Sequence, residues 1–243
     1  LISLLIECPP EQRDRLIAEL WEAGTLGVIE TESFVEAFFD DASAATAFAA
    51  WRPRVVEQED VDWVQATQDS FPPVRIGQRF FLAPPWCADA TPDGRFRLVI
   101  NPGSACGTGY HACTQLCLAA MERWIRPGDR VADIGTGSGI LAVAAQQLGA
   151  SWVAGCDIDP EAIAESIAPL RFTGSADALA DQSVDVVVAN ISAAANQALL
   201  ADYRRITRPG GRWILSGFEE WAFPGQVIET TPLGDWLCYV VQL

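Results

Sequence analysis

The first seventy residues alternate between short apolar runs and one strongly periodic segment. Residues 2–7 (I-S-L-L-I-E) read as a strand, and Pro9-Pro10 interrupt the chain before residues 11–23. There Leu16, Ile17, Leu20 and Trp21 recur at helical spacing, and Gly24 suits the cap that ends the helix. Residues 26–30 and 34–39 read as two strands around a turn at 31–33, residues 42–51 as a second helix, and 54–57 as a fourth strand. This β-α-β-β-α-β order predicts a small ferredoxin-like α+β domain over residues 1–57. Residues 58–73 then predict a linker helix, with Trp63 and Val64 on its apolar side, ended by Phe71-Pro72-Pro73.

From residue 74 the pattern changes. Strands are expected at 74–76, 79–83 and 96–100, followed by a glycine-rich loop and a helix over 110–124. Its predicted buried face is Cys113, Leu116, Cys117, Ala120 and Trp124. Strands at 131–134, 152–156, 170–173, 184–189 and 213–216 then alternate with helices at 140–148, 161–167 and 195–206. Arg208-Pro-Gly-Gly211 stops the last helix, and residues 226–231 and 236–242 form a closing hairpin. Alternation of this kind predicts an α/β domain over 74–243, a doubly wound, Rossmann-like sheet.

Composition narrows the class of protein. The net charge is −16 and every one of the 16 basic residues is an arginine. So acidic a chain repels phosphates, which argues against direct nucleic-acid binding; it suits either solubility alone or attraction of a basic protein. Through residue 56, ten acidic residues face four arginines, so the small domain either docks substrate or is a structural appendage. The seven cysteines contain no C-x-x-C pair and are odd in number, which opposes a disulfide framework or a metal site. No apolar run is long enough to span a membrane and no secretory leader is apparent, so the expected home is the cytoplasm.

The candidate chemistry centres on residues 131–140, V-A-D-I-G-T-G-S-G-I. A strand runs through Asp133 into Gly135, Thr136, Gly137 and Gly139, and then into an apolar helix. Glycine there permits unusual backbone angles and lets a ligand approach the main chain. Ile140 stands where a dinucleotide fingerprint wants its third glycine, which favours S-adenosyl-L-methionine over NAD and opposes an NAD-dependent oxidoreductase. Asp157, followed by Ile158, lies 22 residues beyond Gly135 at the end of the next strand, placed to accept hydrogen bonds from ribose hydroxyls. Asp133 either orients the glycine turn or binds water near the ligand. Upstream, Gly103, Gly107 and Gly109 lead into a helix whose start carries His111, the one histidine, and Thr114. His111 serves either structure or catalysis; Thr114 either bonds back to its own helix or offers a hydroxyl to a ligand.

N-P-G-S-A-C-G-T-G-Y-H-A-C-T (101–114), D-I-G-T-G-S-G-I-L (133–141), D-I-D-P (157–160) and V-V-V-A-N-I-S (186–192) occur in the order and near the spacing of one family. The chain resembles the ribosomal protein L-eleven methyltransferases, within the class I S-adenosylmethionine-dependent methyltransferases, over nearly its whole length. The resemblance implies a ferredoxin-like N-terminal domain, S-adenosyl-L-methionine as cofactor, and methyl transfer to lysine and N-terminal amines of a basic protein, foremost L-eleven. It puts cofactor contacts at Thr114, Gly135, Asp157 and Asn190. It makes Asn190 and the 107–111 loop, with Thr108 and His111, the candidates for orienting the amine.

Two connections are shorter than the resemblance implies. The helix after Asp159 spans about two turns, and residues 219–225 are too few for a crossover helix. Both are expected to leave sheet or cofactor surface under-covered. They keep open a second reading, a module that binds the cofactor and docks a partner without turnover.

Overall fold

The computed structural model describes residues 2–31, 34–40, 44–57, 70–101 and 109–243. The chain divides into two units, Leu1–Asp69 and Ser70–Leu243. Of the expected linker helix at 58–73, residues 58–69 lie outside the described residues, and 70–73 are not helical.

In the first unit, strand β1 (Ile2–Ile6) leads to helix α1 (Pro10–Glu22), then β2 (Gly27–Glu30), β3 (Val35–Phe39), α2 (Ala44–Ala47) and β4 (Arg54–Glu57). The strands lie in the order β2-β3-β1-β4 with every neighbouring pair antiparallel, the split βαβ arrangement expected from the element order. Gly24, at φ +82°, donates its N–H to Trp21 O, and Thr25 donates to Leu20 O. These two bonds form a Schellman end that satisfies the last carbonyls of α1. Leu16 and Leu20 are fully buried, whereas Trp21 of the same predicted face is 55 % exposed. The second helix differs from the expected 42–51. One turn, α2, gives way to a 3-10 turn at Ala49–Trp51 that ends at Arg52 in the left-handed region. Phe48 dropping into the core and Pro53 after Arg52 oppose a continuous α-helix there.

The second unit begins with a three-stranded sheet, β5 (Val74–Ile76), β6 (Phe80–Ala83) and β7 (Phe96–Val99). Near the end of helix α3 (Ala112–Trp124), the Glu122 carboxylate accepts the N–H groups of Gln78 and Arg79 and so holds the turn between β5 and β6. The main sheet contains β8 (Arg130–Ile134), β9 (Trp152–Asp157), β10 (Arg171–Thr173), β11 (Val184–Asn190), β12 (Thr207–Phe218), β13 (Val227–Leu233) and β14 (Trp236–Gln242). Their order is β10-β9-β8-β11-β12-β14-β13. β8 to β12 run parallel, and β14 is antiparallel to both β12 and β13. Helices α4 (Ile140–Gln147), α5 (Pro160–Glu165) and α6 (Ala193–Ile206) make the crossovers.

Both faces of the central strands are buried. Val186 and Val188 of β11 pack in one core with α3 and α4, while Val187 and Ala189 pack in another with Tyr203 and Ile206 of α6. That period of two, apolar on both sides, is what a parallel strand covered by helices requires.

Arg208-Pro-Gly-Gly211 proves to be part of β12 rather than a stop before it. The pairing with β11 jumps from Val184↔Thr207 to Val186↔Arg212, so these residues bulge outward. Gly211 has no room for a Cβ, which would lie 2.7 Å from Asp185 O.

The two short connections are compensated more fully than expected. No helix joins β12 to β13. Instead Trp221 and Phe223 pack with Phe218, Trp213 and Tyr239, at centroid separations of 5.0–6.5 Å. After α5 the chain turns back at once: Ile167 donates its N–H to Ser138 O at 2.9 Å, and Ser166 and Ala168 are buried against the glycine turn. Ile167 and Leu170 stay about half exposed, so part of the expected deficit is real there.

Candidate cofactor and methyl-acceptor site

The strand order reverses between β8 and β11. β8 continues to β9 on one side, and β11 returns on the other. In open α/β sheets such a reversal opens a crevice at the carboxyl ends of the strands, and here a cavity of about 700 Å³ lies at that edge.

The glycine turn forms one wall. Gly135, Gly137 and Gly139 all have positive φ, at +72°, +49° and +84°. A Cβ on Gly135 would run into the side chain of Ile191, and one on Gly139 into Ser166 Oγ and the returning backbone. Gly135 and Thr136 donate their N–H groups to Cys156 O, which ties the turn to β9. Asp133 lies beneath the turn, 1 % exposed. Its Oδ2 accepts the Thr136 hydroxyl at 2.7 Å and the Ala142 N–H at 3.1 Å, satisfying an amide in the first turn of α4 that Gly139 cannot cap. Burial lifts its pKa to about 7, the bonds from Thr136 and Ala142 oppose the rise, and the charge of Asp157 adds to it. Of the two roles left open for Asp133, the geometry favours orienting the turn, although Oδ1 is buried without a hydrogen-bond partner among the described residues.

Asp157 ends β9 beside the turn. Its Oδ2 accepts the Gly137 N–H at 3.0 Å and its Oδ1 accepts the Asp159 N–H at 3.1 Å. A carboxylate has about four acceptor positions, so two remain for ligand hydroxyls. Ile158 beside it is 80 % exposed on the cavity wall, an apolar surface suited to a flat base.

Asn190 ends β11, and its Nδ2 donates to Thr114 Oγ1 at 3.1 Å. Two residues 76 positions apart are thereby joined at the cavity. Thr114 is buried, and its hydroxyl meets Asn190. His111 stands at the N-cap of α3, where Nδ1 accepts the Cys113 N–H at 3.3 Å and the ring meets Trp236 edge-on at 4.7 Å. The cap commits Nδ1 and gives His111 a structural role, and it leaves Nε2 as the nitrogen that could meet a ligand in the cavity. Thr108 lies outside the described residues.

The cavity thus gathers His111, Thr114, Gly135, Thr136, Gly137, Asp157, Ile158 and Asn190, while Asp133 and Gly139 support its floor from behind. A family model described as Ribosomal protein L11 methyltransferase (PrmA) matches residues 18–220. The chain belongs to that family. It is 37 % identical over 206 residues to the Ribosomal protein L11 methyltransferase of Methylobacillus flagellatus, covering 82 % of this chain and 69 % of the relative. Identity to the protein of that name from Dechloromonas aromatica is 36 % over 231 residues, covering 87 % and 76 %. Among solved structures, the ribosomal protein L11 methylase of Lactobacillus delbrueckii subsp. bulgaricus superposes with a TM-score of 0.63 at 27 % identity. That match covers 69 % of this chain and 96 % of the other. The fold is accordingly that of the class I, Rossmann-like methyltransferases.

Sequence reasoning missed several residues that line the cavity. Gly174 and Ser175 follow β10, Gly217 sits near the end of β12, and Ile191 follows Asn190; all line the cavity. The carboxyl-edge rule, applied to every strand rather than two, would have found them. Trp236 had no such signal, because it starts a strand that runs the opposite way.

Proposed function

We infer that this chain is an S-adenosyl-L-methionine-dependent protein methyltransferase that methylates lysine side-chain amines, and a terminal amine, of ribosomal protein L11. The observation that carries the reading is the convergence of the Gly135 turn, Asp157 and the Thr114–Asn190 pair on one cavity in a member of this family. The residues fit the cofactor. Asp157 retains acceptors for ribose hydroxyls, Ile158 offers a face for the base, and the absence of a Cβ at Gly135 and Gly137 brings the main chain to the ligand.

When bound, the cofactor's sulfonium supplies an electrophilic methyl group. The chain's own task is to hold a neutral amine in line with it and to keep water away. The bond from Nδ2 to Thr114 orients the Asn190 amide at the cavity, and we assign its Oδ1 to accept a hydrogen from that amine. No strong base is required of the protein, in keeping with the capping role of His111. The substrate is a basic protein rather than nucleic acid, as the charge of −16 favours. Among the described residues no helix is long and apolar enough to cross a membrane, and we place the reaction in the cytoplasm, with the ribosomes.

The test is transfer of tritiated methyl from S-adenosyl-L-methionine to ribosomes or purified L11. Label is expected on lysines of L11. Calorimetry with S-adenosyl-L-methionine and NADH runs beside it; cofactor binding without incorporation overturns the catalytic reading, and NADH binding alone overturns the cofactor assignment.

A further inference from the structure

Asn190 and Ile191 leave the sheet as a short loop that faces the cavity, and a buried polar network lies directly beneath it. Asn196, on the first turn of α6, is completely buried yet does not line the cavity. Its Nδ2 donates to Ile191 O at 2.9 Å and to Ser216 O at 3.3 Å, bridging the ends of β11 and β12. Its Oδ1 accepts the hydroxyl of Tyr203, two turns further along the helix and also fully buried, at 3.2 Å. On the other side of the loop, Gly217 (φ +97°) presses so close that a Cβ would fall on the Ile191 backbone. The Ile191 side chain in turn covers Gly135.

Any apolar residue at position 196 would leave the buried Tyr203 hydroxyl and the carbonyls of Ile191 and Ser216 without these bonds. A buried amide is costly unless every bond is made, and here both donors go to backbone carbonyls where β11 and β12 end, beside the cavity-lining Ile191 and Gly217. On the proposed methyltransferase reading, we propose that Asn196, held by Tyr203, is a positioning residue. It fixes the Ile191 peptide plane so that Asn190 presents its carbonyl to the amine and Ile191 seats the glycine turn. With Thr114 gripping the Asn190 side chain, the loop is clamped from both sides.

Three variants of the full chain test the clamp. Asn196→Ala removes all three bonds, Asn196→Asp keeps the shape but removes the donors, and Tyr203→Phe removes only the support. Methyl transfer to L11 is measured at saturating cofactor and expressed per cofactor-binding site, so that partial unfolding does not count as loss of turnover. A misplacement of even 1 Å costs up to about a hundredfold in rate. The expected result is a kcat lowered at least about tenfold in both Asn196 variants and about threefold in Tyr203→Phe, with KM for L11 unchanged within about twofold. Amide hydrogen exchange at residues 191–193, measured without substrate, is expected to quicken in the same rank order. Unchanged kcat per site in a folded Asn196→Ala or Tyr203→Phe variant overturns the proposal, as does unchanged exchange. Should the wild-type protein not methylate L11, the functional reading fails, and the exchange result still decides whether the clamp exists.

Discussion

Asp157 has already committed two of its acceptor positions to the N–H groups of Gly137 and Asp159. It is therefore held in place before any ligand arrives. Asp157→Ala is expected to weaken S-adenosyl-L-methionine binding about tenfold to a hundredfold, the range for hydrogen bonds to a charged group; calorimetry that finds an unchanged dissociation constant contradicts the ribose assignment. Asp133 makes a different prediction, because burial raises its pKa to about 7. The folded state binds the proton more tightly than the unfolded state. Its contribution to stability is thus complete below the ordinary carboxylate range and is lost as pH rises through about 7. Without cofactor, the thermal midpoint is expected to be lower at about pH 8 than at about pH 6, with a smaller difference in Asp133→Asn. His111 offers a third test. Asn also caps helices, so His111→Asn is expected to keep stability and most activity, whereas His111→Ala costs about 1 kcal/mol in denaturant unfolding. A collapse of kcat in a stable His111→Asn protein would restore a catalytic role.

Element formation followed local rules where those rules acted alone. The Schellman end at Gly24, the glycine turn after β8 and the Gly234 hairpin turn (φ +59°) were legible, because each depends on a backbone angle that few residues accept. Reading failed where a partner strand or a core decided the outcome. Arg208-Pro-Gly-Gly211 has turn chemistry, yet it is a bulge within β12 because pairing resumes at Arg212. The second helix of the first unit breaks at Phe48, whose backbone departs from helical angles while its ring is buried in the core. Trp221 and Phe223 likewise give no sign in sequence that they will replace a helix. Trp221→Ala is expected to lower stability by about 2 kcal/mol, since its ring covers Phe218 and stacks on Tyr239. A shift within experimental error in urea unfolding would mean that the cluster does not serve as the cover.

At the scale of the whole molecule, charge and topology act together. A net charge of −16 draws a basic partner over distances of about a Debye length, so KM for L11 is expected to rise with ionic strength while cofactor affinity changes little. A KM that is flat in salt would remove steering from the account. The amino-acid sequence by itself determined the glycine turn and the acid that follows it, and, through the order of short local patterns, the class of fold and the family. Only the tertiary structure decided that Thr114 meets Asn190 across 76 positions, that His111 caps a helix, and that Asn196 reaches Ile191 and Ser216. The physical reason is that a hydrogen bond between distant residues exists only once the sheet order has brought two strand ends together. V-A-D-I-G-T-G-S-G-I specifies one wall of the site; the reversal between β8 and β11 supplies the other.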